Sequence, residues 1–231
     1  ARNVVSGNRE SGVTIEGVTS TNNVVQGNYI GVNSAGTAAI SNAQWGVRLL
    51  LGARFNTIGG LNTGEGNVIS GNGKSGMDLN TGAQNNTIQG NLIGTSRLGT
   101  NAIANREIGI TISSATNNLI GGTVAGARNI ISGNLADGIV MHDSGARSNR
   151  VEGNYIGVDV TGTNKLQNGL SGVSITNAPY NFIGSSAAAG GNVISGNQAQ
   201  GITVFSPGAC GNLIQGNLIG SVRLLEMMRA A

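Results

Sequence analysis

The residues of this sequence best suited to catalysis are one histidine and its neighbours. His142 is the single histidine of the chain, and Asp143 follows it directly. When the glycine-preceded apolar segments of the chain are aligned, Ser113 falls at the same outward position in the preceding segment. A hydroxyl, an imidazole and a carboxylate can act as nucleophile, base and orienting group, so these residues predict a carboxylesterase site. The alternative is a surface histidine in a column of Ser, Thr and Asn, and the chain has no Gly-x-Ser-x-Gly segment.

Carboxylates are the second candidate group, because enzymes that cleave polysaccharides use pairs of acids. Asp137 and Asp143 bracket one apolar segment, and Asp159 lies in the loop at 157–171 that follows it. These three residues predict an acidic surface that would cleave or contact a glycan. The other acids are dispersed. Asp78 aligns with Arg48 of the preceding apolar segment, and this alignment favours an ion pair.

Three aromatic residues, Tyr29, Trp45 and Tyr155, are candidates for stacking on sugar rings. Long loops at 31–45, 94–108 and 157–171 each carry Gly-Thr and then an apolar residue, namely Ile40, Ile103 and Leu166. One interpretation is that these loop aliphatics pack over an outward apolar row, which comprises Val4, Tyr29, Val68, Leu92, Ile130, Tyr155, Val193 and Leu218. The other is a groove for carbohydrate or a cell-surface glycan, or a homodimer surface, between the loops.

All these candidates lie in a sequence that repeats every 63 residues. The segment Gln-Gly-Asn-Tyr-Ile-Gly at 26–31 returns at 89–94, 152–157 and 215–220 with small changes, and its first glycine falls at positions 27, 90, 153 and 216. Self-similarity at a fixed period predicts a solenoid in which stacked units share one core.

Each 63-residue unit divides into two coils, and each coil carries three short strands. The first strands centre on Val25, Ile58, Ile88, Ile120, Val151, Ile183 and Ile214, and the second on Val5, Ile30, Ile69, Ile93, Ile131, Ile156, Ile194 and Ile219. The third strand is a glycine followed by apolar-x-apolar, as at Val13 and Ile15. Stacking such coils pairs the strands in parallel, which predicts an all-β parallel β-helix of about seven coils.

Asparagine supports this prediction, because it precedes the first strand of every coil. These residues are Asn23, Asn56, Asn86, Asn118, Asn149, Asn181 and Asn212. Asparagine tolerates left-handed turns, and amides stacked in register can pair as a ladder.

Composition excludes several classes of protein. The net charge of the 231 residues is +3, but the 13 Lys and Arg residues are scattered, which argues against a nucleic-acid partner. A single cysteine, Cys210, excludes internal disulfides and cysteine-based zinc sites, and we expect no cofactor or metal. No apolar run is long enough to predict a membrane span.

The two ends depart from the repeat in different ways. The chain begins in mid-repeat, which suggests a mature or truncated piece of a longer protein, and the open edge at 3–8 is a second candidate for homodimer contact. Residues 1–220 are predicted to form the β-helix domain. Residues 221–231 are rich in helix formers and are predicted to be either a short C-terminal capping helix or a non-native tail.

The repeats resemble a known group of proteins. The Asn-Val-Ile-Ser-Gly-Asn and Gly-Asn-Tyr-Ile-Gly motifs, with Gly-Thr at 36–37, 99–100 and 162–163, are similar to right-handed parallel β-helix repeats of large secreted or surface bacterial proteins within the pectin-lyase-like superfamily. This resemblance covers about residues 3–220. It implies a right-handed β-helix and a secreted or cell-surface location, but activities in the group range from lyases, glycosidases and esterases to adhesins and stalks. The acidic tetrad of a pectate-lyase-like calcium site is absent from the sequence.

The leading functional prediction is a rigid scaffold, adhesin or carbohydrate-contacting module without catalysis of its own. The alternative is a hydrolase on the same scaffold. It would be either an esterase that uses Ser113, His142 and Asp143 or a polysaccharide-cleaving enzyme that uses Asp137, Asp143 and Asp159.

Overall fold

The computed structural model describes residues 2–220, whose regular secondary structure consists almost entirely of short β-strands joined by turns and loops. A 3₁₀ turn spans Ala125–Ala127. The strands are β1 (Val4–Val5), β2 (Val13–Glu16), β3 (Val24–Val25), β4 (Tyr29–Ile30), β5 (Val47–Leu50), β6 (Thr57–Gly59), β7 (Val68–Ile69), β8 (Met77–Leu79), β9 (Thr87–Gln89), β10 (Leu92–Ile93), β11 (Ile110–Ser113), β12 (Leu119–Gly121), β13 (Ile130–Ile131), β14 (Ile139–His142), β15 (Arg150–Glu152), β16 (Tyr155–Ile156), β17 (Val173–Thr176), β18 (Phe182–Ile183), β19 (Val193–Ser195), β20 (Ile202–Phe205), β21 (Leu213–Ile214) and β22 (Leu218–Gly220).

The strands form three parallel sheets that run the length of the molecule. The first sheet holds β3, β6, β9, β12, β15, β18 and β21; the second holds β1, β4, β7, β10, β13, β16, β19 and β22; the third holds β2, β5, β8, β11, β14, β17 and β20. Each complete coil contributes one strand to every sheet. The predicted fold class, a parallel β-helix of about seven coils with three strands in each, is confirmed.

The core consists of aliphatic columns inside the three sheets. The predicted strand centres are in register: Ile58, for example, pairs with Val25 on one side and with Ile88 on the other. The largest fully buried side chains are Ile30, Leu49, Ile58, Ile69, Met77, Leu79, Ile88, Ile93, Ile110, Ile112, Ile120 and Ile131. Burying each such side chain contributes about 1.5–3 kcal/mol before the cost of ordering the chain.

Three ladders of asparagine side chains run along the corners of the coils. The predicted ladder is confirmed, since Asn118 donates to Asn149 and accepts from Asn86, both at 3.0 Å. Two more ladders flank the second sheet. One comprises Asn3, Asn28, Asn67, Asn91, Asn129, Asn154, Asn192 and Asn217. The other comprises Asn8, Asn42, Asn72, Asn105, Asn134, Asn168 and Asn197.

Loops of alternate coils contact one another beside the second sheet. Their strands, β4, β10 and β16, are each separated by one intervening strand. Even so, the backbone N–H of Arg97 donates to the carbonyl of Gly36 at 3.0 Å, and that of Val160 donates to Gly99 at 3.1 Å. The long loops therefore form one continuous wall, as predicted from their spacing.

The predictions for the two ends of the β-helix concern residues 221–231 and strand β1. The capping helix predicted for residues 221–231 lies outside the described residues. At the other end, β1 pairs only with β4 among the described strands and lies at the edge of the second sheet. Within residues 2–220, no helix has both the length and the apolar character needed to cross a membrane.

Candidate functional site

Ser113, His142 and Asp143 lie together at the ends of two adjacent strands of the third sheet. Ser113 in β11 is directly opposite His142 in β14. The Ser113 hydroxyl donates to Oδ2 of Asp143 at 2.7 Å, and Nδ1 of His142 is 3.8 Å from the same oxygen. In the described part of the chain, no hydrogen bond joins Ser113 to His142. The contacts therefore differ from the predicted relay, in which the imidazole would accept the serine proton.

The carboxylate of Asp143 makes hydrogen bonds to the turns that follow β11 and β14. Its Oδ1 accepts the backbone N–H groups of Ser114 and Gly145, each at 2.9 Å. Burial alone would raise the pKa of Asp143, but the hydrogen bonds from Ser113, Ser114 and Gly145 outweigh burial and hold the pKa below its usual 3.8. Asp143 and Ser114 both have left-handed backbones, with φ of 71° and 48°. The carboxylate therefore fixes two turn residues in a conformation that non-glycine residues seldom adopt.

We expect Asp143→Asn to make the protein less stable at neutral pH and to reduce the acid dependence of its stability. The folded pKa of Asp143 is lowered, so the stabilisation it supplies is fully present above its unfolded pKa, near 3.8, and is lost as the pH falls through the folded value. Denaturant titrations of both proteins from pH 7 downward will measure this. The difference in free energy of unfolding should shrink below about pH 4.

Asp78→Asn is the contrasting variant for this measurement. Burial raises the pKa of Asp78 even though Arg48 opposes the shift. The folded state therefore binds a proton more tightly than the unfolded state, and the wild type should gain stability relative to Asp78→Asn as the pH falls toward 3.8. A pH-independent difference for both variants would contradict this account.

Asp137 and Asp143 do not form a pair. They lie at opposite ends of the four-residue strand β14, which separates them by roughly 15–20 Å, whereas paired carboxylates that cleave glycosidic bonds lie about 5–10 Å apart. Asp137 instead accepts from the Ser174 hydroxyl at 2.6 Å and from the Ser171 backbone at 3.2 Å. Asp137 and Asp143 are therefore too far apart to act together as the two acids of a polysaccharide-cleaving enzyme.

Asp159 lies beside a different sheet, in the loop that follows β16. Its carboxylate accepts from the Thr161 hydroxyl at 2.6 Å and from the Asn164 amide at 2.9 Å. Burial works to raise the pKa of Asp159, but these bonds outweigh it and the pKa lies below the usual value. The Asp159 side chain stabilises its own loop through these hydrogen bonds. It does not lie with Asp137 and Asp143 in one acidic site.

The third sheet carries the predicted cross-coil ion pair on its outer face. Nε of Arg48 is 2.9 Å from Oδ2 of Asp78. The ring of Trp45 is contacted by two cations, with Arg48 at 4.1 Å and Lys74 at 4.3 Å from the ring centroid. The chain's own charged side chains therefore pack against the ring that was a candidate for sugar stacking.

Tyr29 and Tyr155 are buried by the loops beside the second sheet. Only 5% and 8% of their surfaces are exposed. Tyr29 packs with Val32 and Ile103, and Tyr155 packs with Val158. This burial corrects the expectation that the rings lie open to a sugar. Most of the predicted apolar row is also buried, since Val68, Ile130 and Val193 are only 3–5% exposed, and this part offers too little surface for a homodimer.

A groove nevertheless remains over the second sheet. Its cavity has a volume of about 450 Å³, and Tyr29, Val68, Leu92 and Ile130 form its floor. The loop at 60–66 and the turn at 125–128 form one wall, and Arg97 and Val160 of the stacked long loops form the other. A second cavity of about 400 Å³ shares Arg2 with it and extends toward Glu65.

Two arginines in this groove are held in the same way. The Nε of Arg2 donates to the carbonyl of Gly27 at 3.3 Å, and that of Arg128 donates to Gly153 at 3.1 Å. Each guanidinium lies 4.1 Å from the centroid of a tyrosine ring, Tyr29 for Arg2 and Tyr155 for Arg128. A guanidinium has five N–H donors, and within residues 2–220 no other donor of these two side chains makes a hydrogen bond. The remaining donors are available to a ligand.

The groove is positively charged. Arg2, Arg97 and Arg128 line the main cavity, and none of the described residues that line it is acidic. One acid, Glu65, lines the adjoining cavity, and its carboxylate accepts hydrogen bonds from the backbone and side-chain N–H groups of Asn62. Such a groove attracts anions and discriminates against cations.

Comparison with known proteins adds one finding. No protein-family model matches this sequence, and no curated protein matches it. The crystal structure of the periplasmic alginate epimerase AlgG T265N mutant superimposes on 92% of this chain with a TM-score of 0.63 and 16% sequence identity. The two proteins share a fold. The matched region is 43% of the epimerase chain, so this chain spans less than half of that protein's length.

The arginines of the groove are the functional candidates that the repeat analysis missed. The signal that identifies them is a longer period. Arg2 and Arg128 stand directly before equivalent asparagines 126 residues apart, which is two 63-residue units, and the equivalent residue of the intervening unit is Gly66. Within residues 2–220, no group of three or more His, Cys, Asp or Glu side chains is arranged to hold a metal ion.

Proposed function

We propose that this chain is a carbohydrate-binding module of a secreted, periplasmic or surface-displayed bacterial protein of the pectin-lyase-like type. It holds an acidic polysaccharide in the arginine groove over the second sheet and does not cleave it. The observation that carries this proposal is the groove itself, which combines about 450 Å³ of volume, three arginines and an apolar floor. Ligand sites of this kind pair a mostly apolar lining with a few polar groups that fix orientation.

The chemistry of the groove favours carboxylate-bearing sugars. Guanidinium groups bind carboxylates through paired N–H donors, and the apolar faces of sugar rings suit an aliphatic floor. A structurally similar protein is named an alginate epimerase, and alginate is an acidic polysaccharide. The Ser113 hydroxyl is bonded to Asp143 rather than to His142, and Asp137 and Asp143 lie at opposite ends of β14; these two observations support the non-catalytic form of the proposal.

We expect the protein to bind alginate and other polyuronates and to bind neutral dextran at least tenfold more weakly. Isothermal titration calorimetry at low and high salt will measure this, and the affinity for polyuronate should fall with salt because the contacts are ionic. The triple variant Arg2→Gln, Arg97→Gln, Arg128→Gln should lose most of the affinity.

The matched control is Arg9→Gln, Arg106→Gln, Arg147→Gln, which removes the same charge from exposed positions outside the groove. It should bind like the wild type, and circular dichroism should show that both variants are folded at the temperature of the binding measurement. An equal loss of affinity in the two variants would show that only net charge matters and would contradict the groove as the binding site. Chain cleavage that is lost in His142→Ala would overturn the non-catalytic form of the proposal.

A further inference from the structure

The arginine–tyrosine unit of the groove occurs twice in the described chain. Arg2 over Tyr29 and Arg128 over Tyr155 have the same ring distance and the same bond from Nε to a glycine carbonyl 25 residues further on. The geometry of one guanidinium is therefore repeated at the second.

The coils between the two units lack both parts of it. At the arginine position they carry Gly66, and the next strand begins with Leu92 in place of tyrosine. The same pair, Gly191 and Leu218, follows the second unit. Arginine and tyrosine thus occur together or not at all.

The two units face the same groove at a fixed separation. Arg2 lies two residues before β1, and Arg128 lies two residues before β13, which is four strands further along the second sheet. Neighbouring strands are about 4.8 Å apart, so the two guanidinium groups lie about 19 Å apart along the helix axis. Both line the same cavity, and Arg97 lies on its opposite wall.

We infer that the groove selects its ligand by length, because an extended, unbranched polyanion must bridge both arginine–tyrosine units to bind tightly. This inference rests on the proposed function and adds the class of chain that is bound. Once one carboxylate is held at Arg2, the next contact at Arg128 is intramolecular, and its effective concentration raises the affinity well beyond that of either contact alone. A sugar too short to bridge the units gains none of this.

The test compares a uronate disaccharide, which is too short for a span of about 19 Å, with polyuronate oligomers that are long enough. In calorimetry the wild type should bind two disaccharides weakly per chain and one long oligomer at least tenfold more tightly. The single variants Arg2→Gln and Arg128→Gln should each bind one disaccharide with unchanged affinity and should lose the tenfold gain for the long oligomer.

A second variant separates positioning from charge. Tyr155→Leu keeps Arg128 but replaces its ring with the residue that the intervening coils carry. It should weaken long-oligomer binding while leaving the salt dependence in place, and Arg147→Gln, on an exposed turn outside the groove, should change nothing.

The outcomes distinguish this inference from the proposed function. If disaccharide and long oligomer bind with equal affinity, the bridging inference is overturned and carbohydrate binding stands. If neither binds to the folded wild-type protein, the proposed function fails and the inference fails with it.

Discussion

Replacing Asn118 by alanine is expected to lower the free energy of unfolding by about 4 kcal/mol, because its side chain makes four buried hydrogen bonds and each such bond contributes about 0.5–1.5 kcal/mol. The Asn118 side chain is fully buried. Its Nδ2 donates to the carbonyl of Ala83 and to Asn149, and its Oδ1 accepts the backbone and side-chain N–H groups of Asn86, all at 3.0 Å. Truncation removes these four bonds and leaves the backbone N–H of Asn86 without a partner, whereas Asn86 Nδ2, the carbonyl of Ala83 and Oδ1 of Asn149 each keep one other bond.

Denaturant unfolding followed by far-ultraviolet circular dichroism will measure this loss. Asn101→Ala is the control, because Asn101 is exposed on the loop wall, and its substitution should change stability by no more than about 0.5 kcal/mol. Similar unfolding midpoints for the two variants would show that the ladder does not stabilise the fold.

Gly121→Ala is expected to destabilise the protein by at least about 3 kcal/mol through strain and steric overlap together. Gly121 ends β12 with φ of 87°, and a Cβ there would lie 2.0 Å from the carbonyl oxygen of Glu152 and 2.6 Å from Oδ1 of Asn154. Both atoms belong to the next coil and to the ladder beside it, so neither can move without breaking coil stacking.

Gly64→Ala isolates the strain from the overlap. Gly64 has the same φ of 87°, but a Cβ there would meet no atom within 4 Å. Its substitution should therefore cost only the backbone strain, about 1–2 kcal/mol. Urea unfolding of both variants gives the difference, and equal losses would mean that the close approach of neighbouring coils contributes nothing.

Most of the fold can be predicted from the sequence because the repeat restricts each residue to one column. Once Ile58 is aligned with Val25 and Ile88, the parallel pairing and the inward face follow from strand geometry alone. The two asparagine ladders beside the second sheet are harder to predict. An asparagine such as Asn91 suits a turn as well as a ladder, and only its burial in the structure decides between them.

The candidate site is less predictable, because it depends on where the loops fold. Loop spacing predicts that the loops stack, but the packing of Ile103 and Val32 onto Tyr29 decides that the ring is covered and that Arg2 lies over it. Likewise, alignment brings Ser113 beside His142, yet the left-handed turn at Asp143 directs the carboxylate to the serine. Side-chain direction at turns is set by local backbone conformation, which repeat spacing does not encode.

The bonds between loops of alternate coils limit how this protein can change in length. Because Arg97 reaches Gly36 and Val160 reaches Gly99 across an intervening coil, a duplication of one coil of about 31 residues would place a short corner where a long loop is needed and would interrupt the wall. A duplication of 63 residues would preserve every such bond, and one that included residues 128–155 would add a complete arginine–tyrosine unit. A duplication of 126 residues would also keep the spacing of four coils between such units. Two coils are therefore the smallest insertion that conserves the surface, and four are the smallest that also conserves the distance between successive arginine–tyrosine units.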